Sequence, residues 1–121
     1  MIGKFGEEIA VSFLRINGYL IVERNWRFKR AEIDIIAQKE TTLIFVEVKY
    51  RSYDFFGAPE ESIQETKESL IADAAAHFME HKEWPGECRF DIISIIRDST
   101  KTCEIRHFSD AFFPGINGGC N

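Results

Sequence analysis

The stretch "AEIDIIAQKETTLIFVEVKYRS", residues 31–52, decides the fold. It holds two apolar runs separated by "KETT", and each run carries charge where a core strand should be bland. Side chains on a strand alternate between faces. Glu32, Asp34 and Ile36 then share one face of the first run, with Ile33, Ile35 and Ala37 on the other. In the second run Phe45, Glu47, Lys49 and Arg51 share a face, and Ile44, Val46, Val48 and Tyr50 take the opposite one. Each strand is thus expected to have an apolar face and a face that turns charged toward one end.

"KETT" suits a hairpin connection. With Lys39 to Thr42 as the loop, Gln38 faces Leu43 and paired residue numbers sum to 81. This register sets Asp34 opposite Glu47 and Glu32 opposite Lys49. A slip of one residue would send the carboxylates to opposite faces. Carboxylates directly opposite repel each other. A hard divalent cation, Mg²⁺ or Mn²⁺, takes oxygen ligands and would neutralise them. Lys49 alongside could orient a metal-bound water. Such a set is suited to phosphodiester hydrolysis, with the ion as Lewis acid and cations offsetting the developing charge. The competing reading is a cross-strand salt-bridge network on an exposed sheet face. The pattern D-x12-E-x-K is too short to decide between them.

Working outward, residues 3–17 read as a helix that stops at Asn17-Gly18. Ile2, Phe5, Ile9, Phe13 and Ile16 form one apolar stripe, while Lys4, Glu8, Ser12 and Arg15 form a polar one. Glu7 belongs to neither stripe. It sits with Gly3, Ala10, Val11 and Leu14 on a second face of small and apolar residues. It can be a site residue or a surface carboxylate favoured by the helix dipole. "YLIVERNW" reads as a strand, and Pro59 opens a long helix over 60–82. Ile63, Leu70, Ile71, Ala74 and Phe78 mark the sheet-facing stripe of that helix, with Lys67 in its middle. Lys67 there needs a partner or a wet cleft, unless it snorkels to solvent. "CRFDIISII" and "CEIRHFSDAF" complete an α-β-β-β-α-β-β order.

The 121 residues, 45% hydrophobic and 29% charged, fit one soluble globular domain. Residues 1–113 are expected to form that domain, and the Gly-rich 114–121 a flexible tail. No apolar run approaches the length of a membrane span, and the N-terminus lacks a signal-peptide core, so the expected location is the cytoplasm. Cys88, Cys103 and Cys120 form no CxxC pair and are expected to be reduced. The net charge of −5 excludes a protein that coats nucleic acid by bulk charge. Residues 1–60 hold nine basic and nine acidic residues, against six and eleven in 61–121. Contact with nucleic acid would therefore be local, with "RNWRFKR", residues 24–30, the candidate. It could equally be a solvated edge strand protected by charge. His77 and His81 are an i,i+4 pair without an evident third metal ligand. Asp91 is expected to be structural, pairing with Arg89 or a neighbouring strand.

The motifs "GKFGEEIA", "NGYLIVERNWR", "AEIDIIA", "FVEVKYRS", "RFDIISI" and "DAF", together with Lys67, occur in one order along nearly the whole chain. On them the chain resembles the YraN-like family of predicted endonucleases, within the PD-(D/E)XK nucleases and similar to archaeal Holliday-junction resolvases. The resemblance implies an α/β, restriction-endonuclease-like fold: an α-β-β-β-α-β core with a mixed central sheet flanked by helices. It implies Asp34 and Glu47 as metal-binding acids, Glu7 as the helix-one acid that joins them, and Lys49 as the catalytic lysine. Arg51 and Lys67 would contact substrate phosphate. The implied activity is Mg²⁺- or Mn²⁺-dependent hydrolysis of DNA, including branched or junction DNA, by a homodimer. Arg27 and Arg30 are the expected additional DNA contacts. The alternative is a catalytically inactive nucleic-acid-binding or adaptor module of the same fold. One departure is visible: the family usually has Gly before E-I-D, and here the residue is Ala31.

Overall fold

The computed structural model describes residues 2–52, 65–100 and 102–111. The elements follow the expected order: α1 (Ile2–Ile16), β1 (Leu20–Phe28), β2 (Ala31–Lys39), β3 (Thr42–Ser52), α2 (Glu65–His81), β4 (Glu87–Arg97) and β5 (Cys103–Phe108). Residues 60–64 of the expected second helix, with Ile63, and the expected tail 114–121 lie outside the described residues. The strands form one sheet in sequence order, β1-β2-β3-β4-β5. β1, β2 and β3 make an antiparallel meander, β4 returns parallel to β3, and β5 pairs antiparallel to β4. The chain is therefore an α/β protein with a mixed sheet and the α-β-β-β-α-β core of the restriction-endonuclease-like fold.

A helix packs on each face. Ala10, Val11 and Leu14 of α1 bury against Ile35, Ala37, Ile44, Val46, Ile93 and Ile95. The small and apolar face of α1 is thus its sheet-facing side. The larger residues of the other stripe lie at the margin, with Phe5 51% and Ile16 83% exposed. Gly6 lets this helix approach the sheet. A Cβ there would lie 3.0 Å from the Cβ of Tyr50, so only a bare backbone fits comfortably. α1 ends at Gly18, whose φ of +90° supplies the left-handed turn while Tyr19 N–H donates to the Leu14 carbonyl at 2.9 Å. On the opposite face Ile71, Ala74, Ala75 and Phe78 of α2 bury against Ile33, Ile36, Phe45 and Phe90.

The β2–β3 ladder runs from Lys39↔Thr42 to Ile35↔Val46, so paired numbers sum to 81 as the sequence implies. The hairpin is tighter by one pair than expected. Its loop is Glu40-Thr41, with Glu40 at φ +56°, the left-handed backbone that two-residue hairpins require. Cys103 is a free thiol, but Cys88 is disulfide-bonded. The expectation of reduced thiols therefore fails at Cys88.

Strand β4 carries one fully buried charge. Asp91 is 0% exposed, and it is surrounded by donors. Arg89 grips it through Nε at 2.9 Å and a second nitrogen at 3.0 Å. His107 Nε2 lies 2.7 Å from Oδ2, and Asp110 N–H donates to Oδ1 at 2.9 Å. Burial raises the Asp91 carboxyl, but hydrogen bonds from His107, Arg89 and Asp110 outweigh it and leave the carboxyl below its ordinary range. Arg89 also donates to the Tyr19 hydroxyl at 3.1 Å. The cluster ties β4, β5 and the α1–β1 connection together, the structural role expected of Asp91. Replacing Asp91 with Ala would leave Arg89 and His107 facing a hole, and breaking a buried pair from one side costs about 3 kcal/mol or more. Urea unfolding of Asp91→Ala should show a loss of that order; wild-type stability in the variant would contradict the role.

Candidate functional site

The site forms where the sheet forks. β2 stays paired with β1 down to Phe28↔Ala31, and β3 stays paired with β4 up to Ser52↔Arg97. Between them, the β2–β3 ladder stops at Ile35↔Val46. The next residues of each strand are Asp34 and Glu47. The expected Asp34–Glu47 and Glu32–Lys49 positions therefore fall just past the last rung. The Asp34 carboxylate takes the backbone's place there, accepting a hydrogen bond from Val48 N–H at 2.8 Å.

Face alternation in β2 breaks at this point. Ile36 packs on the α2 side and Ile35 on the α1 side, as expected. Ile33 and Ala31 then pack on the α2 side with Ile36, against the expectation that Ile33 shares a face with Ile35. Glu32, lying between Ala31 and Ile33, goes to the other side from Ile36. The reason lies next door in β1. Arg24 pairs with Ile35 and Trp26 with Ile33, leaving Asn25 and Asp34 between rungs. Asn25 has φ +53°, a left-handed residue inside a strand. It reverses the faces beyond it, so Trp26 and Phe28 pack toward α2 while the Arg24 guanidinium reaches Glu8 of α1 at 2.9 Å.

Acids from both layers act electrostatically on Asp34 at the fork. Glu7 comes from α1, its side chain 13% exposed against 56% for Glu8, so Glu8 has the ordinary solvated position and Glu7 does not, as the helical wheel implies. Its Oε1 accepts from Asn25 Nδ2 at 2.9 Å, and Arg24 lies 3.9 Å away. Glu47 comes from the α2 face of β3 and is 8% exposed. Burial, then the charge of Glu47, then Glu7 and Glu32 push the Asp34 carboxyl up to about 7, against the lowering effect of the Val48 amide. No three of the described His, Cys, Asp or Glu side chains lie close enough together to hold a metal ion in this arrangement.

Cations occupy Glu47 instead. Lys67 Nζ bonds Oε2 at 2.7 Å, and Lys49 Nζ lies 3.3 Å from the same oxygen. Lys67 thus reaches the sheet rather than only snorkelling, although its side chain remains 43% exposed. Lys49 is 4% exposed. Burial lowers its pKa, opposed by the nearby Glu47 and reinforced by Lys67 and Arg51. Arg51 follows two residues on, half-buried, with one guanidinium nitrogen 3.5 Å from the Tyr50 carbonyl.

The expected DNA contacts stand apart from this group. Arg27 is 76% exposed and lies 3.7 Å from Glu32, and Arg30 is exposed in the β1–β2 turn. His77 is used in packing: its ring stacks on Phe28 at 4.2 Å. Ser94 is an addition the sequence did not suggest. It sits beside Lys49 in the parallel ladder, 1% exposed, its hydroxyl without a hydrogen-bond partner among the described residues. Asn25 is the other addition. Its signal was present, since Asn tolerates a left-handed backbone better than most residues, but "ERNWR" reads as plain strand.

Fold and fork define a class: an α/β protein of restriction-endonuclease-like architecture with a carboxylate–lysine cluster at a break in its sheet. Residues 6–95 match the model of the uncharacterised protein family UPF0102, and the chain belongs to that family. A UPF0102 protein of Flavobacterium psychrophilum is 46% identical over 112 residues, covering 93% of each chain. One of Bacteroides thetaiotaomicron is 42% identical over 115 residues, covering 95% of this chain and 94% of that one.

The raised Asp34 pKa has a direct consequence for stability. The native carboxyl binds its proton more tightly than the unfolded one, so the metal-free fold loses stability as pH rises from about 4 through about 7. Asp34→Asn removes this term and should raise the thermal midpoint at pH 8 by several degrees, with a smaller gain at pH 5. Parallel pH profiles for the two proteins in chelator would contradict it.

Proposed function

We propose that this protein is a divalent-metal-dependent endonuclease of the YraN-like, PD-(D/E)XK type, hydrolysing DNA phosphodiesters in the cytoplasm. The observation that carries the reading is Asp34, a half-buried carboxyl at the fork under the combined charge of Glu47, Glu7 and Glu32. An all-oxygen donor set short of positive charge fits Mg²⁺ or Mn²⁺. Asp34 and Glu47 would hold the ion, with Glu7 joining directly or through water. When bound, the ion supplies Lewis-acid polarisation of the phosphodiester and charge to offset the leaving oxygen.

The remaining roles belong to the chain's own cations. Lys49 is fixed by burial and by Glu47, and its Nζ is the group that orients the attacking water. Its lowered pKa leaves more of it neutral, and so free to take a proton, than a solvated lysine. Lys67, anchored at one end and half-exposed, can leave Glu47 for a non-bridging phosphate oxygen. Arg51 serves the adjacent phosphate. Arg27 and Arg30, out on the hairpin, grip the backbone away from the cut, where phosphate contacts set orientation rather than sequence choice. A homodimer acting on branched DNA would supply two such sites for paired cuts.

A second reading, a nucleic-acid-binding or adaptor module without turnover, is favoured by the two lysines that already satisfy Glu47. Incubation with linear, flap and four-way-junction DNA separates the two. The nuclease reading expects cleavage with Mg²⁺ or Mn²⁺ and none in chelator. Lys49→Ala should then lower the rate at least about 100-fold with folding retained. Binding without cleavage in any metal supports the module. Undiminished cleavage in Lys49→Ala would overturn the assigned site.

A further inference from the structure

Asn25 touches the candidate site from a strand that carries none of its acids. It combines two unusual properties. Its side-chain amide donates to Glu7 Oε1 at 2.9 Å, although the residues are 18 apart in sequence. Its backbone is left-handed, φ +53°, inside a nine-residue strand. A non-glycine residue with positive φ in a strand is a departure that the surrounding structure must sustain.

Each property places one acid. A carboxylate on a helix surface can sample several rotamers. The Asn25 amide holds one Glu7 oxygen, while Arg24 takes the neighbouring Glu8. The backbone acts on Asp34. Asn25 and Asp34 lie opposite each other between the rungs Arg24↔Ile35 and Trp26↔Ile33. The face reversal at Asn25 is matched by the reversal from Ile35 to Ile33 in β2. Asp34 stands at that turning point, its carboxylate on Val48 N–H rather than committed to either helix layer. A regular β1 would keep β2 regular and direct Asp34 to one face.

We infer that Asn25 is a positioning residue for the metal site, holding Glu7 by its amide and Asp34 by its left-handed backbone. This rests on the metal-binding reading above and adds a residue to it. Asn25 touches neither the ion nor the substrate; it acts through the two acids. Outer-shell partners of metal ligands typically contribute 10–100-fold to affinity.

The test is Mn²⁺ affinity by calorimetry on four proteins: wild type, Asn25→Gly, Glu7→Gln and the double variant. Glycine keeps the left-handed backbone available and removes only the amide, so the fold is preserved and the Glu7 contact alone is lost. Asn25→Gly should weaken Mn²⁺ binding about tenfold while the metal-free thermal midpoint stays near wild type. The double variant should bind no more weakly than Glu7→Gln, since the amide works through Glu7. Asn25→Ala, which strains the backbone, should weaken binding further than Asn25→Gly. Wild-type Mn²⁺ affinity in Asn25→Gly, or fully additive losses in the double variant, would overturn the inference and leave the metal site standing. Absence of Mn²⁺ binding in the unmodified protein would overturn both.

Discussion

A single hydrogen bond, from the Val48 amide to the Asp34 carboxylate, sits where the β2–β3 ladder gives out. An amide at a fork in a sheet loses its ladder partner and needs another acceptor. A carboxylate supplies one, and in doing so is drawn out of water and toward Glu47 and Glu7. The fork thus exchanges a backbone problem for an electrostatic one. The acid that satisfies the strand cannot ionise easily where it lies, and its carboxyl is held near a pKa of about 7. The neighbouring side chains answer that negative potential: two lysines on Glu47, and an asparagine and an arginine beside Glu7.

The two helices make this geometry possible from opposite sides. α1 lies close because its inner face is built from Gly6, Ala10, Val11 and Leu14, which brings Glu7 down to the sheet. α2 lies close through Ile71, Ala74 and Ala75, which lets Lys67 span to Glu47. The buried Asp91 cluster is the contrasting case. There the carboxylate is fully supplied with donors from Arg89, His107 and Asp110, and its pKa is driven down rather than up. The buried Asp91 is satisfied and holds the fold. The half-buried Asp34 is crowded by other acids.

Much of this was legible in the residues. Alternation and loop length gave the 81 register, because a one-residue slip would have put Phe45 and Ile36 in the wrong layer. The helical wheel separated Glu7 from Glu8 for the same reason, since only one of them lies beside Ala10 and Leu14. Lys67 stood out by interrupting an apolar stripe. What was hidden depended on backbone conformation or on contacts between distant segments. The left-handed Asn25 and Glu40 leave little local trace, so strand faces drawn by strict alternation failed beyond Asp34 and placed Ile33 and Glu32 wrongly. Tyr19 meets Arg89 across 70 residues, and no local pattern announces that. The cysteines misled because the absence of a paired motif says nothing about a long-range bond at Cys88.

The proposed cation site at the fork is built from acids of both layers. Diffraction from crystals grown with Mn²⁺, with data collected for manganese anomalous scattering, would locate the ion. Such a site requires one strong anomalous peak between β2 and β3, within bonding distance of carboxylate oxygens of Asp34 and Glu47, and Lys67 displaced from Glu47. A fork without a peak at saturating Mn²⁺, with Lys67 still bonded to Glu47, would contradict it.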